Sequence, residues 1–255
     1  MNLLLFEKDE VLAEGRVLIG PHRRRAVLER HTLEVGRTYT AGIVDGPLGV
    51  ALVTDIGTDK IELEFLAKRQ SPSFSSSSLI LAAPRPQMFK RILEAAGSLG
   101  IERIIIVSSE RSQKSYISSH SYDEAEMRYR LWLGLEQAMV TCMPEVLVLG
   151  AVQALARQID DLFPEDKFIR LLAATGAQSS LTEMVMSHCR SDLNGLGMPS
   201  RHVFAIGPES GWSEEEEELF VSAMRFHSVS LGDRVLRVET AVYVTFAQLQ
   251  LLNFC

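Results

Sequence analysis

Three cysteines in 255 residues, Cys142, Cys189 and Cys255, are odd in number and widely separated, which excludes a disulfide framework or a zinc cluster and predicts a reducing, cytoplasmic setting. Long apolar runs are missing too. The longest, residues 78–83, is far shorter than the roughly 20 residues that a membrane-spanning helix requires. The apolar start at residues 1–6 meets Glu7, Asp9 and Glu10 at once, without the basic leading region or cleavage site of a secretory leader. Neither a Gly-x-x-x-x-Gly-Lys-Ser nor a Gly-x-Gly-x-x-Gly sequence follows the first α/β strand, which argues against enzymes that cradle nucleotide phosphates. His188 and Cys189 have no second ligand cluster, so no metal is expected.

Basic residues are also outnumbered: 26 Lys and Arg face 33 Asp and Glu, a net charge of −7, which weighs against a nucleic-acid partner. The average conceals a patch. Arg16, His22, Arg23, Arg24, Arg25, Arg30, His31 and Arg37 crowd the first forty residues, and local field rather than total charge governs encounter. With 46% hydrophobic residues, a chain of this length can bury one large core or two modest ones, and two domains are expected.

The amino-terminal part reads as β-rich. Residues 37–44, 49–55 and 60–67 are short segments of mixed alternation separated by turn residues at 45–47 and 55–59, a pattern that predicts a small barrel. Residues 70–78, Gln-Ser-Pro-Ser-Phe-Ser-Ser-Ser-Ser, have the composition of a flexible join. Strand 79–83 then leads through Pro84-Arg85-Pro86 into a helix with Met88, Ile92, Leu93, Ala96 and Leu99 on one face. Gly100 ends it as a left-handed cap, and 103–107 is the next strand. A helix over 121–141, a strand at 146–149, a helix over 151–163 and a strand at 168–174 follow, and the chain closes on the apolar segment 242–254. The fold class is α/β with a mainly parallel sheet, in domains 1–70 and 79–255 joined by a linker at 71–78.

Two late loops carry the chemistry. Apolar strand 201–206 runs into Gly207-Pro208-Glu209-Ser210-Gly211. A helix then starts abruptly, with Ser213 as its cap and an acidic run at 214–218 in the favourable field of its first turns; such a run is ordinarily a solvated helix start. A second strand near 226–231 leads to Gly232, a stretch bearing Arg234 and Arg237, and a helix opening near Glu239-Thr240. Open α/β sheets bind ligands at the carboxyl ends of their strands. Side by side, these loops would form one wall of backbone N–H and C=O groups around a small polar ligand.

In this order the two segments resemble the RsmE-type RNA methyltransferases of the knotted SPOUT class, whose signature is Gly-Pro-Glu-Gly-Gly followed by Leu-Gly-Pro-Arg-(Ile/Val)-Leu-Arg-x-Glu-Thr-Ala. The second element, here Leu231-Gly232-Asp233-Arg234-Val235-Leu236-Arg237-Val238-Glu239-Thr240-Ala241, is the more specific. Ser109-Glu110-Arg111, Glu136-Gln137, Pro144-Glu145 and Val44-Asp45-Gly46 match further elements. The chain departs from the pattern at Ser210 and Asp233, at Pro84-Arg85-Pro86-Gln87 in place of a Lys-rich turn, and at Met139 and Val140, where an Arg is usual.

The resemblance implies a SPOUT-like α/β domain with a C-terminal trefoil knot, preceded by a PUA-like β-barrel that binds RNA. It also implies methylation of N3 of a uridine in 16S ribosomal RNA by direct in-line transfer from S-adenosylmethionine, without a metal, by a homodimer. The cofactor residues carried over are Thr175, Gly176, Ile206, Gly207, Pro208, Glu209, Gly211, Leu231, Gly232, Val235, Leu236, Arg237 and Thr240. Arg23, Arg24, Arg25, Arg30 and Arg111 would contact RNA. Arg234 and Arg237 would stabilise charge developing on the uracil carbonyl oxygens, and Glu239, a weak base beside two arginines, would position. An Arg237–Glu239 ion pair at a helix start is the structural alternative. A second reading, an RNA-binding protein of the same fold with lost or altered transfer, draws on Ser210, the acidic net charge and the missing Lys and Arg positions.

Overall fold

A computed structural model of the chain describes residues 2–192 and 201–252. The side chains of His188 and Cys189, and Cys255 as a whole, lie outside the described residues. Two compact units form, one from Met1–Ser73 with Leu131–Met143 and the other from Phe74–Arg130 with Pro144–Cys255.

The first unit contains β1 (Leu4–Phe6), β2 (Arg16–Ile19), α1 (Pro21–Arg30), β3 (Thr38–Ile43), β4 (Leu48–Ile56) and β5 (Ile61–Arg69). Its five-stranded sheet has the order β1-β3-β4-β5-β2, with β1 parallel to β3 and the other pairs antiparallel. The longer strands coincide with the segments expected from alternation. β1 and β2 span only 3 and 4 residues, too few for a period to declare itself. One face of β2 and β5 supplies Val17, Ile19, Ile61 and Leu63 to a core with Leu4, Phe6, Ala51, Val53 and Val27 of α1. α1 begins at Pro21, whose missing N–H would have no partner in a first turn anyway.

The second unit runs through β6 (Ser77–Ala82), α2 (Pro86–Leu99), β7 (Ile101–Ser108), α3 (Glu124–Ala138), β8 (Glu145–Ala151), α4 (Val152–Ala156), α5 (Ile159–Leu162), β9 (Phe168–Ala173), α6 (Leu181–Asp192), β10 (Arg201–Ile206), α7 (Glu214–Glu218), β11 (His227–Val229) and α8 (Val238–Leu252). All strand pairs are parallel, in the order β11-β9-β10-β6-β7-β8. Apolar layers cover both faces, as a parallel sheet requires. Val203 and Ala205 of β10 join Phe168 and Leu172 of β9 on one side, whereas Phe204, Ile169 and Leu171 join α6 and Leu249 of α8 on the other. Gly100 ends α2 with φ 68°, in the left-handed region. Ser77 and Ser78, at the end of the Ser-rich stretch, are buried as the first residues of β6.

The helix expected over 151–163 is instead two short ones, α4 and α5. Arg170, 1% exposed within β9, lies beside the break. A guanidinium buried in an apolar sheet needs acceptors, and this one donates to Phe163 O at 2.7 and 2.9 Å, Met224 O at 2.9 Å and Asp160 Oδ1 at 2.6 Å. The residues around α5 therefore present carbonyl groups to β9 rather than continuing one helix.

α3 ends where Met139 adopts φ 59°. Its last turns belong to the first unit, where Trp132 and Leu135 pack with Leu3, Leu5, Val44 and Leu48. Glu136 is buried there and accepts from Arg30 Nε (3.1 Å) and Trp132 Nε1 (2.7 Å), with His31 Nε2 at 3.5 Å. Burial alone would raise this carboxyl, but the His31 contact, the Arg30 charge and the Trp132 hydrogen bond outweigh it and hold it below the ordinary range. A depressed carboxylate contributes stability above its unfolded pKa, about 4.3, and that contribution is lost as pH falls through the lower folded value. Glu136→Gln is expected to destabilise the protein by about 1–3 kcal/mol at pH 7. In urea titrations the difference from wild type should shrink below about pH 4; a difference constant with pH would contradict the assignment.

Candidate functional site

β10, β9 and β11 are neighbours in register, with Ala205 opposite Leu172 and Val229 opposite Ala173, so the turns that follow them meet at one edge. Between them lies a cavity of about 140 Å³. Of the expected residues, Thr175, Ile206, Gly207, Pro208, Glu209, Gly211, Leu231, Gly232, Val235 and Leu236 line it, together with Arg234. Gly176, Arg237 and Thr240 are not among the lining residues. Sequence reasoning missed Ala173, Ala174, Trp212, Glu217, Ser230, Val238 and Ala241. For Trp212 a signal existed, because one of only two tryptophans directly follows the glycine loop.

The loop after β10 is held from outside the cavity. Ser213 caps α7, and Glu216 completes a reciprocal capping box. The acidic run is not wholly solvated, since Glu216 is buried. Its carboxylate accepts from Ser213 N (3.0 Å), Ser109 Oγ (2.7 Å) and Glu110 N (2.9 Å). The bonds from Ser109 and Glu110 tie the turn after β7 to the start of α7, and the one from Ser213 closes the cap. Within that loop the Trp212 indole packs on Phe220 with centroids 4.8 Å apart and reaches Gly207 so closely that a Cβ there would lie 3.1 Å from Nε1. A side chain at 207 would be a tight fit there, and Trp212 would have to give way slightly to admit it. Trp212 Nε1 is buried without a hydrogen-bond partner among the described residues.

Ser210, the departure from the family pattern, does not line the cavity. Its Oγ lies 3.5 Å from Arg111 O, and Arg111 Nη1 donates to Ser210 O at 3.1 Å. The left-handed residue of the loop is Gly211, with φ 74°, and Ser210 has no positive φ. A side chain at 210 therefore meets neither the backbone restriction nor the cavity space that glycine would serve.

The loop after β11 turns at Gly232, whose N donates to Ser230 Oγ at 3.2 Å. Arg237 precedes α8 and its carbonyl accepts from Ala241 N at 2.8 Å. Arg237 is exposed and forms no ion pair with Glu239 among the described residues, so the structural alternative for this pair is not what the geometry contains. Glu239 Oε2 is buried without a partner among the described residues. Burial first, and then the Glu239 charge, raise the pKa of Tyr243 one helical turn away.

The expected RNA contacts in the first unit are differently engaged. Arg23 pairs with Glu10 and lies over the Trp132 ring at 4.3 Å. Arg24 Nε donates to Gly57 O at 2.8 Å, and Arg30 is bound to Glu136. Arg25 is exposed and pairs with Glu29 along α1 at 2.8 Å.

Comparison with known proteins adds to this geometry. Residues 71–250 match the family model described as RNA methyltransferase domain. The chain is 32% identical over 244 residues to the ribosomal RNA small subunit methyltransferase E of Treponema pallidum, covering 94% of this chain and 87% of that protein. It is 25% identical to the protein of the same name from Rickettsia conorii, covering 80% and 76%. Among solved structures it is similar to a ribosomal RNA small subunit methyltransferase E from Neisseria gonorrhoeae bound to S-adenosyl methionine, with a TM-score of 0.77, 24% identity and 98% of each chain covered.

Gly211→Ala forces a side chain into the left-handed region and is expected to cost about 1 kcal/mol, whereas Ser210→Ala should stay within about 0.5 kcal/mol of wild type. Thermal unfolding of both variants checks this; equal losses would contradict the assignment of the strained position.

Proposed function

The chain belongs to the RNA methyltransferase domain family, among relatives of the ribosomal RNA small subunit methyltransferases E, and from that premise we propose that it methylates N3 of a uridine in 16S ribosomal RNA, using S-adenosylmethionine. The observation that carries this reading is the cavity at the carboxyl ends of β9, β10 and β11, lined by both signature loops.

The residues present fit that cofactor. Gly207 keeps the β10 loop pressed on Trp212, the turn after β9 contributes Thr175, and Leu231, Val235 and Leu236 give the cavity an apolar side. Bound there, S-adenosylmethionine supplies an electrophilic methyl group on a sulfonium. The protein's part is to hold the acceptor in contact, an orientation effect that reaches about 7–11 kcal/mol in favourable cases, and to oppose charge on the uracil. As N3 loses its proton to solvent water, negative charge spreads to the adjacent carbonyl oxygens. Arg234 lines the cavity, and Arg237 stands on the same loop; both can oppose that charge as fixed donors. Glu239 positions this loop.

The finer architecture belongs to the same proposal. The place of β9 between β10 and β11 is compatible with a C-terminal trefoil knot, and the five-stranded mixed sheet of the first unit with a PUA-like RNA-binding barrel. Arg25 offers RNA an exposed cation, and Arg23, Arg24 and Arg30 shape the same helix. The subunit acts as a homodimer in the cytoplasm, where ribosomal subunits are made. Val235, 84% exposed, supports a partner copy covering it. Light scattering at micromolar concentration should give twice the chain mass; a monomer would contradict that part.

Ser210 stands outside the cavity, which favours intact transfer over the reading of an RNA-binding relative without activity. Small ribosomal subunits from a strain lacking the enzyme should gain 3-methyluridine on incubation with the protein and S-adenosylmethionine, detected by nucleoside mass spectrometry. Arg234→Ala and Arg237→Ala should each lower kcat on the order of 10²-fold. A folded wild-type protein that binds these subunits and adds no methyl group would sink the proposal.

A further inference from the structure

We infer that Arg85, on the turn after β6, is a phosphate contact for the acceptor RNA, held by Glu209 until the RNA arrives. The inference rests on the methyltransferase reading above and names a residue for its substrate side. In the sheet order β9-β10-β6-β7, the turns after β6 and β7 flank the β10 loop on the side away from β9 and β11. Two arginines stand there. Arg85 Nε lies 3.5 Å from Glu209 Oε1, and its side chain is 69% exposed. Arg111 donates to Ser210 O at 3.1 Å.

The backbones that carry both side chains are fixed. Tyr122 Oη donates to Pro84 O at 2.6 Å, and its ring stacks on Phe89 of α2 with centroids 4.3 Å apart. Arg111 N donates to Ser109 Oγ, which in turn donates to the buried Glu216. A functional cation is most effective on such a rigid base. The charges themselves are loosely committed. Arg111 has no carboxylate partner among the described residues, and an exposed pair such as Arg85–Glu209 contributes little in water, so exchanging the carboxylate for a phosphate is inexpensive.

Substrate chemistry explains why cations belong at this place. N3 lies on the pairing edge of uracil, so an acceptor uridine must be unpaired and turned out of its stack to present it. A base entering the cavity passes the β10 loop, whose Glu209 and Gly211 line the cavity while Ser210 does not. The flanking phosphates are then left on the outer side of that loop, where Arg85 and Arg111 stand.

The test uses full-length protein, S-adenosylmethionine and small ribosomal subunits from a strain lacking the enzyme, with initial rates measured at several salt concentrations. Arg85→Ala should raise KM for the subunits several-fold at low salt more than it lowers kcat. It should also flatten the log–log dependence of 1/KM on salt by about 0.7, the value of one phosphate contact on a single strand. Arg85→Lys should restore the slope, and affinity for S-adenosylhomocysteine should be unchanged in both. An Arg85→Ala enzyme with wild-type KM and salt slope would overturn the inference while leaving the methyltransferase reading intact. A wild-type protein that binds neither S-adenosylhomocysteine nor subunits would overturn that reading and this inference with it.

Discussion

Parallel pairing of β9 with both β10 and β11 is the constraint on which the site depends. These strands are joined through α6 and α7 and cannot be neighbours by simple hairpins; a parallel pair needs a crossover. Once they pair in register, their carboxyl ends lie level, and loops far apart in sequence face one cavity. Nothing in either loop alone creates that space. Gly207, Gly211 and Gly232 then let backbone rather than side chains form its wall, which suits recognition of a small polar ligand by N–H and C=O groups.

Three buried ionic groups, Glu216 and Arg170 in the second unit and Glu136 in the first, each fix their own neighbourhood, and each is satisfied by several partners. Glu216 joins the turns after β7 and β10, Arg170 ties β9 to the segments around α5 and Met224, and Glu136 fixes the end of α3 within the first unit. A buried charge adds little net stability over a well-packed apolar group, but removing one partner is strongly unfavourable. Such groups specify a geometry. Glu216 does so directly beside the loop after β10, and through Ser109 and Arg111 it couples that loop to the face where RNA is proposed to lie.

Much of this was legible beforehand because it is local. Strand 201–206, the Ser213 cap and the Gly100 stop follow from patterns within a few residues, and the two loops in register pointed to their pocket. The remainder depends on contacts remote in sequence. Arg30 looked like a free cation because its partner, Glu136, is 106 residues away. Glu216 looked solvated because nothing in a run of five glutamates tells which one points inward. The expected helix at 151–163 broke where β9 carries a buried arginine, and Arg237 falls outside the cavity lining although Leu236 and Val238 on either side of it belong to that lining. Ser210 stood where a glycine is usual, but the left-handed position is its neighbour, Gly211.

Calorimetric titration of the purified protein with S-adenosylhomocysteine, the product of the proposed transfer, tests the central claim most directly. Saturable binding at one site per chain, abolished by Gly232→Phe in a variant that still folds, is the expected result. A folded wild-type protein that shows no binding, or a Gly232→Phe variant that binds as tightly as wild type, would contradict the placement of the cofactor between the two loops.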